Sequence, residues 1–223
     1  MKLFYLLSSF CLFSIHDLDA QIIPEFPDGI YLTLDQLKNK TPAYTTKLRV
    51  IKRNSGDAFW GGGNDFKLES DIDTLKPRFF RNKIYAYVTN DSIFLNCEKI
   101  GLQKFYSLCL TRGNFLAFKA CMETSEAATY AVLGGALLMA SLSNIRYLYV
   151  LSLRTGNTRK LDKDYVAARL EENKNLLAQF EAESKQNSEG VLLKYINQLN
   201  GYILPDSQPP ADSSGIKTKR KRK

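Results

Sequence analysis

Lys83-Ile84-Tyr85-Ala86-Tyr87-Val88, then Asn90-Asp91, then Ser92-Ile93-Phe94-Leu95-Asn96-Cys97 is the stretch that decides the fold. Two runs of β-branched and aromatic residues flank a two-residue turn signal, and the pattern predicts an antiparallel hairpin. Downstream, Phe105 to Leu110 and Phe115 to Cys121 flank Thr111-Arg112-Gly113-Asn114, which predicts a second hairpin. Ile145 to Leu153, the turn Thr155-Gly156-Asn157 and Thr158 to Leu161 predict a further strand pair. Upstream, Gly29 to Leu34 is a short β-rich piece. Thr33 and Gln36 then have the spacing of a capping box for a short helix ending before Pro42. Thr46 to Arg53 reads as a half-buried strand, and residues 54–77, rich in Gly, Asp, Asn and Ser, as a long loop whose strands, if any, are short.

Two helical segments close the chain. One runs from about Asp164 to Lys185, capped by Asp162 or Asp164. The other runs from about Glu189 to Leu199 and ends at Asn200-Gly201. Between the strands, Ala127 to Ile145 is nineteen residues without a charge and contains Gly134-Gly135. The expected fold class is therefore α+β: a dominant antiparallel β-meander or small barrel, a Gly-containing apolar helix and a C-terminal helical pair.

Both ends read differently from the middle. Lys2 followed by the apolar run Leu3 to Ile15 has the form of a secretory signal peptide, with cleavage after Ala20. Phe10 before Cys11 argues against a lipoprotein. The expected organisation is a signal peptide over 1–20, one globular domain over 21–204 and a disordered basic tail over 205–223. Without residues 1–20 the formal charge is +9, from 30 Lys and Arg against 21 Asp and Glu. Six of those cations lie between Lys217 and Lys223, so the body carries only about +3 and no nucleic-acid-binding face is implied.

Export would also remove the sole histidine, His16. A mature chain without histidine excludes Ser-His-Asp and Cys-His nucleophiles, His-ligated zinc and a histidine base. No cofactor motif, catalytic set or metal-ligand spacing is present. Three cysteines, Cys97, Cys109 and Cys121, remain in apolar contexts that suit buried thiols, although export permits one disulfide.

Three segments are candidates for function. In Gly56 to Asp65, Phe59 and Trp60 beside Gly61 to Gly63, with Asn64 and Asp65, suit a sugar or peptide ligand; the alternative is a tight turn with Trp60 plugging the core. The carboxylates of Asp65, Glu69, Asp71 and Asp73 read as a solvated loop, a calcium site or a hydrolase pair, though they lack the calcium-loop pattern. Ala127 to Ile145 reads as a core helix, a spanning helix or a membrane- or partner-facing surface.

Gly29-Ile30-Tyr31-Leu32-Thr33, Trp60-Gly61-Gly62-Gly63-Asn64-Asp65, Lys83 to Tyr87, Gly134-Gly135 and Arg146-Tyr147-Leu148-Tyr149-Val150 carry a resemblance. Over roughly residues 29–180 the chain resembles a family of uncharacterised exported proteins of Bacteroidota-type bacteria, a domain of unknown function, and that resemblance implies no activity. The expectation is an exported protein, periplasmic or outer-membrane associated, that binds a protein or glycan ligand of the envelope without catalysis. A carboxylate-dependent hydrolase of glycan-type substrates and a membrane-associating protein acting through 127–145 are the competing expectations.

Overall fold

The structure, a computed structural model, describes residues 25–54, 56–57, 62–70, 77–123, 125–130, 132, 135, 142 and 145–201. The opening hairpin is present as β4 (Ala86–Thr89) and β5 (Ser92–Asn96). Asn90 and Asp91, at φ 45° and 60°, both take the left-handed conformation that a tight hairpin turn requires. Cys97 leaves the strand and starts a 3-10 turn, Cys97–Ile100, whose first N–H groups include one bonded to the Asn96 side chain.

Around this hairpin the sheet grows by β1 (Gly29–Tyr31), β2 (Arg49–Lys52), β3 (Phe66–Glu69) and β6 (Tyr106–Leu108). The order is β1-β4-β5-β6-β3-β2, all antiparallel, in a curled half-barrel. A second sheet contains β7 (Phe115–Ala120), β8 (Tyr147–Ser152) and β9 (Thr158–Lys160) in that order. The chain is thus α+β with antiparallel sheets, as its strand pattern predicts.

Three differences have physical causes. The hairpin expected between Phe105 and Cys121 survives only as the bridge Cys109↔Phe118, because β6 gives its main pairings to β5 and β3. β3 sits inside the stretch read as loop; four residues of alternation are too few to stand out among Gly and Asp. The helix expected over 164–185 is two, α3 (Lys163–Leu170) and α4 (Lys174–Glu181). The Asn173 side chain accepts from Leu176 N at 3.1 Å and so starts a new helix, as Asp162 does for α3 by accepting from Tyr165 N. Thr33 caps α1 (Leu34–Lys38) as its spacing predicts, accepting from Gln36 N at 3.2 Å.

The elements stack in four layers. α2 (Pro77–Asn82) places Phe79 and Phe80 against the inner face of the half-barrel with Ile30, Leu48, Leu68, Tyr87, Phe94 and Tyr106. The opposite face of the same sheet, including Tyr31, Ala86, Val88, Ile93 and Leu95, packs on Leu116, Phe118, Tyr149 and Leu151 of the small sheet. The far face of the small sheet, Ala117 and Val150, is covered by α3, α4 and α5 (Glu189–Gly201) through Val166, Leu170, Phe180, Leu192 and Tyr195. Period-2 alternation explains the assignment, since Tyr87 and Phe94 point one way and their chain neighbours the other. α5 still includes Asn200 and Gly201, expected to end it. Asn200 instead exchanges two 2.8 Å hydrogen bonds with the backbone of Phe115 and ties the helix to β7.

Of the apolar segment 127–145, 127–130 continues a helix begun at 125, whereas most of 131–144, with Gly134, lies outside the described residues, as do 1–24 and 202–223. Among the described residues no helix is long and apolar enough to cross a membrane.

Candidate functional site: a stapled loop at the fork between the sheets

β6 has one edge on β5. Its other edge is divided: Tyr106 pairs with Phe66 of β3, while Leu110 N donates to Ala117 O of β7. Carrying the Cys109↔Phe118 register onward would set Cys121 opposite Tyr106, a place already taken by β3. The two strands must part there, and the polar backbone exposed by parting needs partners.

Asn64 supplies them. Fully buried, it accepts from Cys121 N through Oδ1 at 2.7 Å and donates through Nδ2 to the carbonyls of Gln103 at 2.7 Å and Lys104 at 3.2 Å. Its own N–H reaches Lys104 O at 2.9 Å. The amide thus stands in for a strand at the fork. Such close approach is open only to glycine at the preceding position: Gly63 lies at φ +84°, and a Cβ there would meet Lys104 O at 2.6 Å. The Cys121 thiol donates to Gly63 O at 3.2 Å.

Asp65 continues the frame. Its Oδ1 accepts from Arg146 Nε at 2.9 Å and Nη2 at 2.6 Å, joining the start of β3 to the entry of β8. The Arg146 side chain is only 15% exposed, and it reaches the carbonyls of Ile145 and, at 3.5 Å, Gly63. A half-buried pair in which two guanidinium N–H groups converge on one carboxylate oxygen is stronger than an exposed one because water competes less.

Arg53 holds the loop itself. Its N–H bonds Asp65 O at 2.7 Å, extending the β2–β3 ladder by one pair. Its guanidinium donates to Asp57 O at 2.7 Å on one limb and to Gly62 O and Asn64 O, both at 2.8 Å, on the other. The same group lies 3.9 Å from the centre of the Phe105 ring. Burial pulls its pKa below the ordinary guanidinium value. Asn54 and Asp57 add a reciprocal pair of side-chain to backbone bonds, 2.7 and 3.4 Å. A loop closed at its stem and bound across its limbs has the character of an Ω-loop.

Of the four residues singled out from the sequence, Asn64 and Asp65 form this frame, and Phe59 and Trp60 lie outside the described residues, between its limbs in the chain. Arg53, Phe105, Cys121 and Arg146 complete the frame and carry no local signal; Arg146 is 81 positions from Asp65. Among the described residues the acidic run is not gathered. Asp65 and Glu69 stand at opposite ends of β3, about 13 Å apart along the strand, beyond the spacing of a glycosidase carboxyl pair. Glu69 pairs with Lys67 at 2.9 Å and Arg49 at 3.3 Å, which holds its carboxyl below the usual range; Asp71 and Asp73 lie outside the described residues. Among the described residues no three His, Cys, Asp or Glu side chains gather as a metal-binding group.

Among the described residues no disulfide joins Cys97, Cys109 or Cys121, and burial raises all three thiols: Cys97 to about 12, Cys109 well above its ordinary value and Cys121 upward as well. A raised thiol is a poor nucleophile.

A model described as a family of unknown function, DUF6563, matches residues 29–202. The chain belongs to the DUF6563 family. The DUF6563 match runs from the first residue of β1 to just past α5, so both sheets, the frame and the C-terminal helices fall within it. No curated protein and no solved structure matches the chain.

Proposed function

We propose that this DUF6563 protein is an exported component of the cell envelope that binds a protein or glycan ligand, without catalysis, through the loop carrying Phe59 and Trp60. The observation behind this reading is the Arg53 staple. A partly buried cation bonded to three carbonyls fixes both limbs of a surface loop, and limiting a loop's freedom in advance lowers the entropy lost when it takes a ligand. The aromatic faces of Phe59 and Trp60 suit sugar rings or extended peptides. In this reading Asn64 and Asp65 are positioning residues, and contact belongs to Phe59 and Trp60.

Trp60 is the chain's one tryptophan, so its fluorescence reports the loop directly. Titration with a panel of envelope glycans and envelope proteins is expected to shift Trp60 emission for one class. Trp60→Ala is expected to lower that affinity at least about tenfold, as for an aromatic hot spot, with an unchanged unfolding midpoint. Full affinity in Trp60→Ala contradicts the reading.

A second reading, attachment to a membrane surface through 127–145, is favoured by Val132 at 86% exposure with Tyr130 and Ile145 also exposed. It predicts that the chain floats with anionic lipid vesicles and that Val132→Asp reduces the floated fraction. A chain that stays in the load fraction disposes of it.

A further inference from the structure

β2 is an outer strand of the half-barrel, and the direction of its backbone groups follows from one bond. Arg53 N donates to Asp65 O, so Arg53, Ile51 and Arg49 face β3 across the ladder, and Val50 and Lys52 turn their N–H and C=O groups outward. Earlier in the chain, Leu48 has both backbone groups on the Tyr87 phenol, at 2.9 and 3.3 Å. The outward groups of Val50 and Lys52 have no such partner among the described residues. At the opposite edge, by contrast, Ile30 of β1 bonds Ala43 and Tyr44, which cover it.

Charge decides what could pair there. Residues 46–53 hold Lys47, Arg49, Lys52 and Arg53 and no acid. Arg49 is engaged with Glu69 and Arg53 with the loop, while Lys47 and Lys52 stand exposed. Glu69, the acid on the neighbouring strand, is shared between Arg49 and Lys67. Cations on an outer strand repel a second copy of the same strand, and the same cations favour an acidic one.

We propose that the outer edge of β2, Val50 to Lys52, accepts an extended acidic segment of a partner protein as an added strand. Main-chain bonds to Val50 and Lys52 supply the register, and Lys47 and Lys52 select the charge. The inference stands apart from the loop reading, since it does not involve Phe59 or Trp60.

The test is amide exchange, followed by NMR on the full chain with an acetylated hexapeptide that alternates glutamate and valine. Exchange at Val50 and Lys52 is expected to slow at least about tenfold, while Arg49 and Ile51, already in the ladder, change little. Val50→Pro removes only an outward N–H, which an outer strand tolerates, and is expected to abolish the effect. If Val50→Pro does not fold, Lys47→Glu combined with Lys52→Glu carries the test by transferring the preference to a lysine-valine peptide. No slowing at saturating peptide, equal slowing by the lysine peptide with the native chain, or slowing that follows protein concentration alone would overturn the proposal. Loss of ligand binding in Trp60→Ala with edge protection intact would bear on the loop alone.

Discussion

Asn64→Ala is expected to lower the unfolding free energy by about 4 kcal/mol, a large share of a typical domain's stability. The side chain is fully buried and bonds one N–H and two carbonyls on two other segments. Truncation removes the bonds to Cys121 N and to the Gln103 and Lys104 carbonyls, and each buried polar group left unsatisfied costs about 1–3 kcal/mol. Asn64→Asp is expected to be worse. It keeps the acceptor for Cys121 but sets a carboxylate oxygen against two carbonyls and buries a charge. Urea unfolding of the three proteins at pH 7 checks this. A loss under about 1 kcal/mol for Asn64→Ala would mean that the fork is held by something else.

The second large effect is alkaline. Cys97 is wholly buried, its thiol 3.1 Å from Ser107 Oγ, and burial pushes it from 9.0 to about 12. Burial does the same to Tyr31 and Tyr85, each raised from 10.0 to about 12, with Asp28 adding to Tyr31 and Cys109 to Tyr85. In the unfolded chain these groups lose their protons near their ordinary values, whereas the folded chain keeps them. Between pH 9 and 12 the unfolded state therefore binds fewer protons, and stability falls as pH rises. The Cys97 thiol alone contributes a loss on the order of 4 kcal/mol across that window. Unfolding midpoints from pH 7 to 11 are expected to fall steeply in the native protein and less steeply in Cys97→Ala, whatever the mutant's stability at pH 7. Equal slopes would mean that Cys97 does not govern the loss.

What could be read in the sequence follows from distance along the chain. The β4–β5 hairpin was legible because its turn, Asn90-Asp91, and both apolar runs lie within fifteen residues. The Thr33 cap and the β8–β9 pair were local in the same sense. The layer order was not legible: β4 and β5 are buried on both faces, so their runs carry no mark saying which face meets α2 and which meets the small sheet. β3 was hidden by its length, and the break between α3 and α4 by treating Asn173 as an ordinary polar residue of a long helix.

The candidate site divides in the same way. Asn64 and Asp65 stood out because they follow a run of glycines, which marks an unusual backbone. Their task at the fork depends on where β7 leaves β6, a property of register between distant segments. Arg146 and Cys121 could be linked to them only through the folded chain.

For the proposed binding role to hold, Trp60 has to be reachable from solvent while Arg53 staples the two described limbs of its loop. Iodide quenching of Trp60 fluorescence in the native chain tests it most directly, because no other tryptophan contributes. Quenching comparable to that of the urea-unfolded chain is expected. Emission shielded from iodide until the protein unfolds would place Trp60 in the core and contradict it.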